Sequence, residues 1–94
     1  MEKRYLVITQ IHNGDEFVEV FEKMSEANEA AKREWNYLTR WEKQDHHVFV
    51  AMVTREDLPD WAIEEDEDGN VEIDWECYHS CNVNKLYFDS ERRN

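Results

Sequence analysis

The stretch Tyr5-Leu6-Val7-Ile8-Thr9-Gln10-Ile11-His12-Asn13-Gly14-Asp15-Glu16-Phe17-Val18-Glu19-Val20-Phe21 decides how this chain starts to fold. Its two ends are rich in β-branched and aromatic residues, which suit extended backbone. Between them, Asn13-Gly14 tolerates the positive φ angles of a tight turn. The pattern predicts a β-hairpin. A two-residue turn at Asn13-Gly14 pairs Ile11 with Glu16, Val7 with Val20 and Leu6 with Phe21, whereas a bulged turn shifts that register.

Downstream, Ser25 offers a hydroxyl N-cap, and Ala27, Ala30, Ala31, Trp35 and Leu38 recur at helical spacing. The spacing predicts a helix from Ser25 to Leu38, its alanines allowing a close approach to a sheet. Thr39-Arg40-Trp41-Glu42 has the form of a capping box. It predicts a break near Leu38 and a short second turn through Lys43, with one continuous helix to Gln44 as the alternative. Val48 to Val53 is apolar on both faces, as expected of a strand covered on both sides. Past Pro59, Asp68-Gly69-Asn70 marks a second turn. Val71 to Cys77 then alternates apolar and acidic residues like a half-buried strand, unless Asp74 caps a helical turn through Tyr78. Val83 to Phe88 reads as a last strand and 89–94 as a frayed tail.

The 94 residues fit one small domain spanning 1–94, since two would each be too short to bury a useful core. The expected fold class is α+β: a β-β-α-β core with one or two further C-terminal strands, forming a largely antiparallel sheet with one main helix on one face. A single helix leaves the second face open. Either the excursion over 56–82 wraps it, or a second copy does, as a homodimer through the sheet.

Charge is distributed unevenly. Residues 56–76 hold eleven of the 23 acids and no Lys or Arg. The other twelve acids stand against all eleven bases, a net of -1, so a nearly neutral body carries one anionic excursion. A formal net charge of -12 disfavours direct binding of nucleic acid, because phosphate contacts need a cationic face. It equally disfavours anionic membrane surfaces. The residues from Met1 to Gln10 hold too short an apolar run for a signal peptide, and no run is long enough to span a membrane. With only Cys77 and Cys81, a reducing cytoplasm with free thiols is expected.

Catalytic chemistry finds little support in the residue pattern. Gly14 and Gly69, the only glycines, are both accounted for by turns, so no phosphate-binding loop can be assembled. Aligned on a calcium loop, Glu64, Asp66 and Asp68 take the first ligand positions, but the closing glutamate position falls on Trp75. Cys77, His79 and Cys81, with His46-His47 as a fourth donor, offer a metal-binding or thiol-based alternative, although Cys-x3-Cys is not the usual zinc spacing. No enzyme, cofactor or metal is expected. Of the four tryptophans, Trp35 and Trp75 belong to predicted inward faces. Trp41 and Trp61 lie in connecting segments, either tucked over the core edge, the commoner outcome, or presented to a partner.

Tyr5-Leu6-Val7-Ile8, Glu34 to Thr39 with Glu42-Lys43, the strand at Val48 to Val53, and Asp68-Gly69-Asn70-Val71 with Asp74-Trp75 resemble a group of small acidic proteins. Those proteins are encoded on conjugative elements and phage-like islands of anaerobic gut bacteria. No catalytic residues come with the resemblance, and what it implies is a cytoplasmic accessory role. The expected function is a protein-interaction module that presents Trp61, Glu64, Glu65, Asp66, Glu67, Asp68, Glu72, Asp74 and Glu76 to a basic surface on a partner. In a nucleic-acid mimic, Glu72, Asp74 and Glu76 would repeat about every 6.6 Å along a strand, like a row of phosphates.

Overall fold

The structure, a computed structural model, describes residues 2–77 and 87–91. Strand β1 (Lys3–Ile11) pairs antiparallel with β2 (Glu16–Phe21) and with β3 (His46–Thr54), giving the order β2-β1-β3. The hairpin forms as expected, but its register differs from the two-residue pairing. Tyr5 faces Phe21, Leu6 faces Val20 and Val7 faces Glu19. The cause lies in the turn. A two-residue turn of the favoured type needs positive φ at both Asn13 and Gly14. Here Gly14 alone has it, at 102°. Gly14 N–H donates to the Ile11 carbonyl at 2.9 Å, and Ile11 N–H to the Asp15 carbonyl at 2.9 Å. His12-Asn13-Gly14 is therefore a three-residue loop closed by a bulge. Asn13 Oδ1 accepts the Asp15 N–H at 2.9 Å and holds the turn.

One residue of register moves every β2 side chain to the opposite face. As paired, Phe21 joins Tyr5, Val7, Val48 and Val50 on one face, while Val18 joins Leu6, Ile8, Phe49, Ala51 and Val53 on the other. The first face is covered by α1 (Met24–Tyr37), whose Ala27 and Ala31 have no exposed surface. Ala30, Trp35 and Leu38 pack partly buried around them, so the apolar stripe reads through. Ser25 is not the cap. Lys23 occupies that position in extended conformation with no side-chain cap, and Ala27 N–H makes the first bond to its carbonyl at 3.1 Å. The chain leaves β2 two residues earlier, and that short connection starts the helix ahead of the serine.

The helix breaks at Leu38. Thr39 Oγ1 accepts the Glu42 N–H at 3.2 Å, and Glu42 Oε1 accepts the Thr39 N–H at 2.9 Å. This reciprocal box starts α2 (Arg40–Asp45), two residues longer than expected. The Thr39 backbone N–H and hydroxyl hold the Glu42 carboxyl below its usual range. The cap therefore works above the ordinary carboxylate range and weakens as pH falls through the lowered value.

The second sheet face is wrapped by the excursion. Short 3-10 turns at Arg55–Asp57 and Asp60–Ala62 lead into a small hairpin of β4 (Ile63–Glu65) and β5 (Val71–Ile73). From this segment Leu58, Ala62, Ile73, Trp75 and Cys77 pack against Leu6, Ile8, Phe49, Ala51 and Val53. Arg4 lays its guanidinium over the Trp75 ring, 5.1 Å from the centroid. The alternating run read as a strand through Cys77 ends at Ile73. Asp74 closes a turn instead, its Oδ1 accepting the Glu76 N–H at 3.1 Å and its carbonyl the Cys77 N–H at 3.3 Å.

Most of the expected last strand, Val83 to Phe88, lies outside the described residues. Its end docks on β3: Val50 N–H donates to the Phe88 carbonyl at 2.9 Å, and Ser90 N–H to the Val48 carbonyl at 2.8 Å. Asp89 and Ser90, assigned from sequence to a frayed tail, are thus paired. His47 Nε2 lies 2.7 Å from Asp89 Oδ1, and Ser90 Oγ accepts the Val48 N–H at 2.9 Å. A sheet edge captures backbone that composition alone leaves free.

Ile8, fully enclosed on the central strand, and Trp35, half-buried at the helix flank, are expected to differ in weight. Ile8→Ala should cost about 2–5 kcal/mol of unfolding free energy. Trp35→Ala should cost less than the roughly 3–5 kcal/mol of a fully buried aromatic. Urea denaturation of both variants checks the order.

Candidate functional site

The anionic segment is organised by its own hairpin. Asp66 N–H donates to the Asn70 carbonyl at 2.9 Å, and Gly69 N–H to the Asp66 carbonyl at 3.1 Å, with Gly69 at φ 83°. This is the three-residue loop of the first hairpin used a second time, with Glu67-Asp68-Gly69 in place of His12-Asn13-Gly14. Asp66 also turns its carboxylate inward, Oδ1 accepting the N–H groups of Asp68 and Asn70, each at 2.9 Å. The Asn70 bond, ahead of those from Asp68 and Gly69, holds the Asp66 carboxyl below the usual carboxylate range. The turn is firmest above that range and loosens as pH falls through the lowered value.

Pairing decides which acids share a side. Ile63 stands opposite Ile73; both are half-buried, and Ile73 packs against the core of the second sheet face. By alternation, Glu64 and Glu72, directly opposite one another, face away from it and are exposed. Like charges so placed repel, and surrounding water must screen them. Trp61, 69% exposed, stands beside them. With Ala62, Glu64, Glu72, Ile73 and Asp74 it lines an open concavity of about 330 Å³. Both connecting tryptophans turn outward, since Trp41 is 75% exposed. The commoner tucked arrangement is not realised; at Trp61 the adjoining core is filled by Leu58 and Ala62.

The expected binding residues therefore divide into groups. Trp61, Glu64, Glu72 and Asp74 converge on one concavity. Glu65, Glu67, Asp68 and Glu76 are exposed around the hairpin and do not line it, and Asp66 is consumed by its turn. The phosphate-like row of Glu72, Asp74 and Glu76 does not exist, because the strand that would space them stops at Ile73. Nor do Glu64, Asp66 and Asp68 converge as a calcium loop requires, with Glu64 in β4 and Asp66 turned in on its own amides.

Cys77 is a half-buried free thiol whose Sγ–H donates to Asp74 Oδ2 at 3.4 Å. Loss of solvent, then the Asp74 bond, then the charges of Asp74 and Glu76 push its pKa up. That is the reverse of what makes a nucleophile or a ready thiolate ligand. His79 and Cys81, its companions in the thiol and metal alternative, lie outside the described residues. Among the described residues, no three of His, Cys, Asp and Glu are placed to hold a metal ion, and no helix is long and apolar enough to cross a membrane.

Two further exposed aromatics escaped the sequence reading: Phe17 at 61% and Tyr37 at 89% exposure. The signal for Tyr37 was its phase, off the Ala27 to Leu38 stripe. Phe17 had no such signal, because its face depends on the hairpin register. No family model, curated protein or solved structure matches the chain.

Asp74→Asn, in a Cys81→Ser background, is expected to lower the Cys77 pKa by removing the nearest negative charge. Alkylation by iodoacetamide near neutral pH should then be faster than in the background protein. A pH profile of the alkylation rate checks it.

Proposed function

We propose that this chain is a protein-interaction module, not a catalyst, and that it binds a basic surface of a partner protein through the outer side of the β4–β5 hairpin. The observation that carries this reading is the exposed Trp61 beside Glu64, Glu72 and Asp74, within a segment of eleven acids and no base. An aromatic left in water beside carboxylates suits a Lys or Arg side chain, which stacks its cation on the ring while the acids pair with it. Charge used only for solubility is better served by both signs interspersed over the surface. The resemblance to small acidic proteins of mobile elements fits a cytoplasmic accessory role, in which the module covers a basic patch that nucleic acid also uses.

The two components of the site act on different rates. Exposed acids steer encounter, whereas a central aromatic holds the complex once it has formed. Neutralising Glu64, Glu72 and Asp74 to Gln or Asn should slow association with the partner recovered from cell extract, and should flatten its dependence on salt. Trp61→Ala should mainly speed dissociation, weakening affinity by about 2 kcal/mol or more if the ring is an anchor. Neutralising Glu26, Glu29 and Asp45, exposed elsewhere, is the control and should change little. Stopped-flow association across a salt series checks these outcomes. A salt-independent rate, or equal losses from the two triple variants, would overturn the proposal.

A further inference from the structure

The outer edge of β2 is a second, separate surface. The sheet order β2-β1-β3 leaves that edge unpaired among the described residues. The other outer edge differs, because β3 receives the chain at Phe88 and Ser90. Antiparallel ladders alternate, so if Ile11 and Asp15 form a hydrogen-bonded pair, Phe17, Glu19 and Phe21 point their backbone groups at β1. Val18 and Val20 then direct theirs outward, ready to accept a further strand. Edges of this kind are usually blocked, twisted or covered.

Above the edge, on the helix side, β2 and the flank of α1 enclose an open hollow of about 430 Å³ lined by Glu19, Phe21, Ala30, Arg33, Glu34 and Tyr37. Beside it lies a smaller one of about 240 Å³, reaching Thr9 and Phe17 and sharing Glu19 and Glu34. The small side chain of Ala30 leaves room on the helix wall. Exposed Phe17 and Tyr37 supply aromatic contact area. Glu19 from the strand and Glu34 from the helix reach the same space, and neither makes an ion pair among the described residues.

We infer that this edge and hollow bind an extended, basic segment of another protein as a fourth strand. Its backbone pairs with Val18 and Val20, and alternate side chains enter the hollow, where Lys or Arg meets Glu19 and Glu34 beside Tyr37. The same acids argue against a second copy as the occupant. Self-pairing would bring another Glu16, Glu19 and Glu22 alongside the first three, in a chain of net charge -12. An edge strand that carries exposed glutamates resists its own kind and admits one of opposite charge. The surface is distinct from the β4–β5 hairpin, and it stands or falls independently of that reading.

The test is a titration of the isotope-labelled full chain with a short peptide alternating Val and Lys, followed by NMR. Its control is the same peptide with alternate backbone amides methylated, which cannot pair as a strand. Addition to the edge should slow amide exchange at Val18 and Val20 and shift Phe17 and Tyr37, with the methylated peptide failing to bind. Glu19→Lys and Glu34→Lys, both at exposed positions, should each weaken binding about tenfold, the scale of losing one charge-assisted contact. Neutralising Glu64, Glu72 and Asp74 should leave edge binding unchanged, which separates this inference from the acidic hairpin. Three outcomes would overturn it: shifts confined to residues 61–76, equal binding of the methylated peptide, or Val18 and Val20 amides already protected in a dimer without peptide.

Discussion

Strand β1 lies at the centre of the sheet with Tyr5 and Val7 buried on one face and Leu6 and Ile8 on the other. A strand of this kind is stable only when both faces are shielded from water, and much of the rest of the structure follows from that need. The helix supplies one cover through Ala27 and Ala31, whose small side chains let its backbone come close to the sheet. The other cover comes from Leu58, Ala62, Ile73, Trp75 and Cys77, drawn from the most acidic part of the chain. Apolar residues of the excursion pin it to the sheet, and their acidic neighbours are turned to solvent as a consequence.

This coupling makes the anionic segment a structured surface. In a free acidic loop the carboxylates would repel one another into separate positions. Here the β4–β5 ladder holds Glu64 against Glu72, and the Asp66 turn draws one carboxylate out of the cluster to satisfy backbone amides. Of the remaining acids, Glu64, Glu72 and Asp74 gather with Trp61 on one concavity. The same geometry contributes to the raised pKa of the Cys77 thiol, because Asp74 both ends the strand and takes the Cys77 hydrogen.

The two proposed surfaces have a common logic and separate origins. At the hairpin, acidic side chains meet the aromatic because Ile73 packs on the core while its neighbours Glu72 and Asp74 are exposed beside Trp61. At β2, they meet because no further strand pairs with that edge among the described residues and the β2 and α1 side chains line a shared hollow beside it. Both favour cationic partners. As proposed, one would offer side chains to a basic surface and the other backbone to an extended basic segment, two different modes of recognition.

Local chemistry was legible from the residues themselves. The two-sided apolar pattern of β1 and β3, the helical stripe, the break at Leu38 and both glycine turns depend on neighbours a few positions apart, and each is present. The excess of acids over 56–76 is likewise a property of composition alone. What tertiary structure decided were choices between local solutions of similar merit. Asn13-Gly14 suits a two-residue or a three-residue loop, and the pairing realised puts Val7 opposite Glu19, which sends Phe17 and Glu19 to the helix face. Alternation favoured a strand through Cys77, but Asp74 could bond its own downstream amide and ended it. Trp61 turned outward because Leu58 and Ala62 had taken the space beneath, and Asp89 joined the sheet because β3 had an unpaired edge to fill. For Trp61 and Asp89 the deciding partner is distant in sequence or competes for the same volume, and a local pattern carries no information about either; the Asp74 turn is a local bond that the sequence already offered as the alternative to a strand.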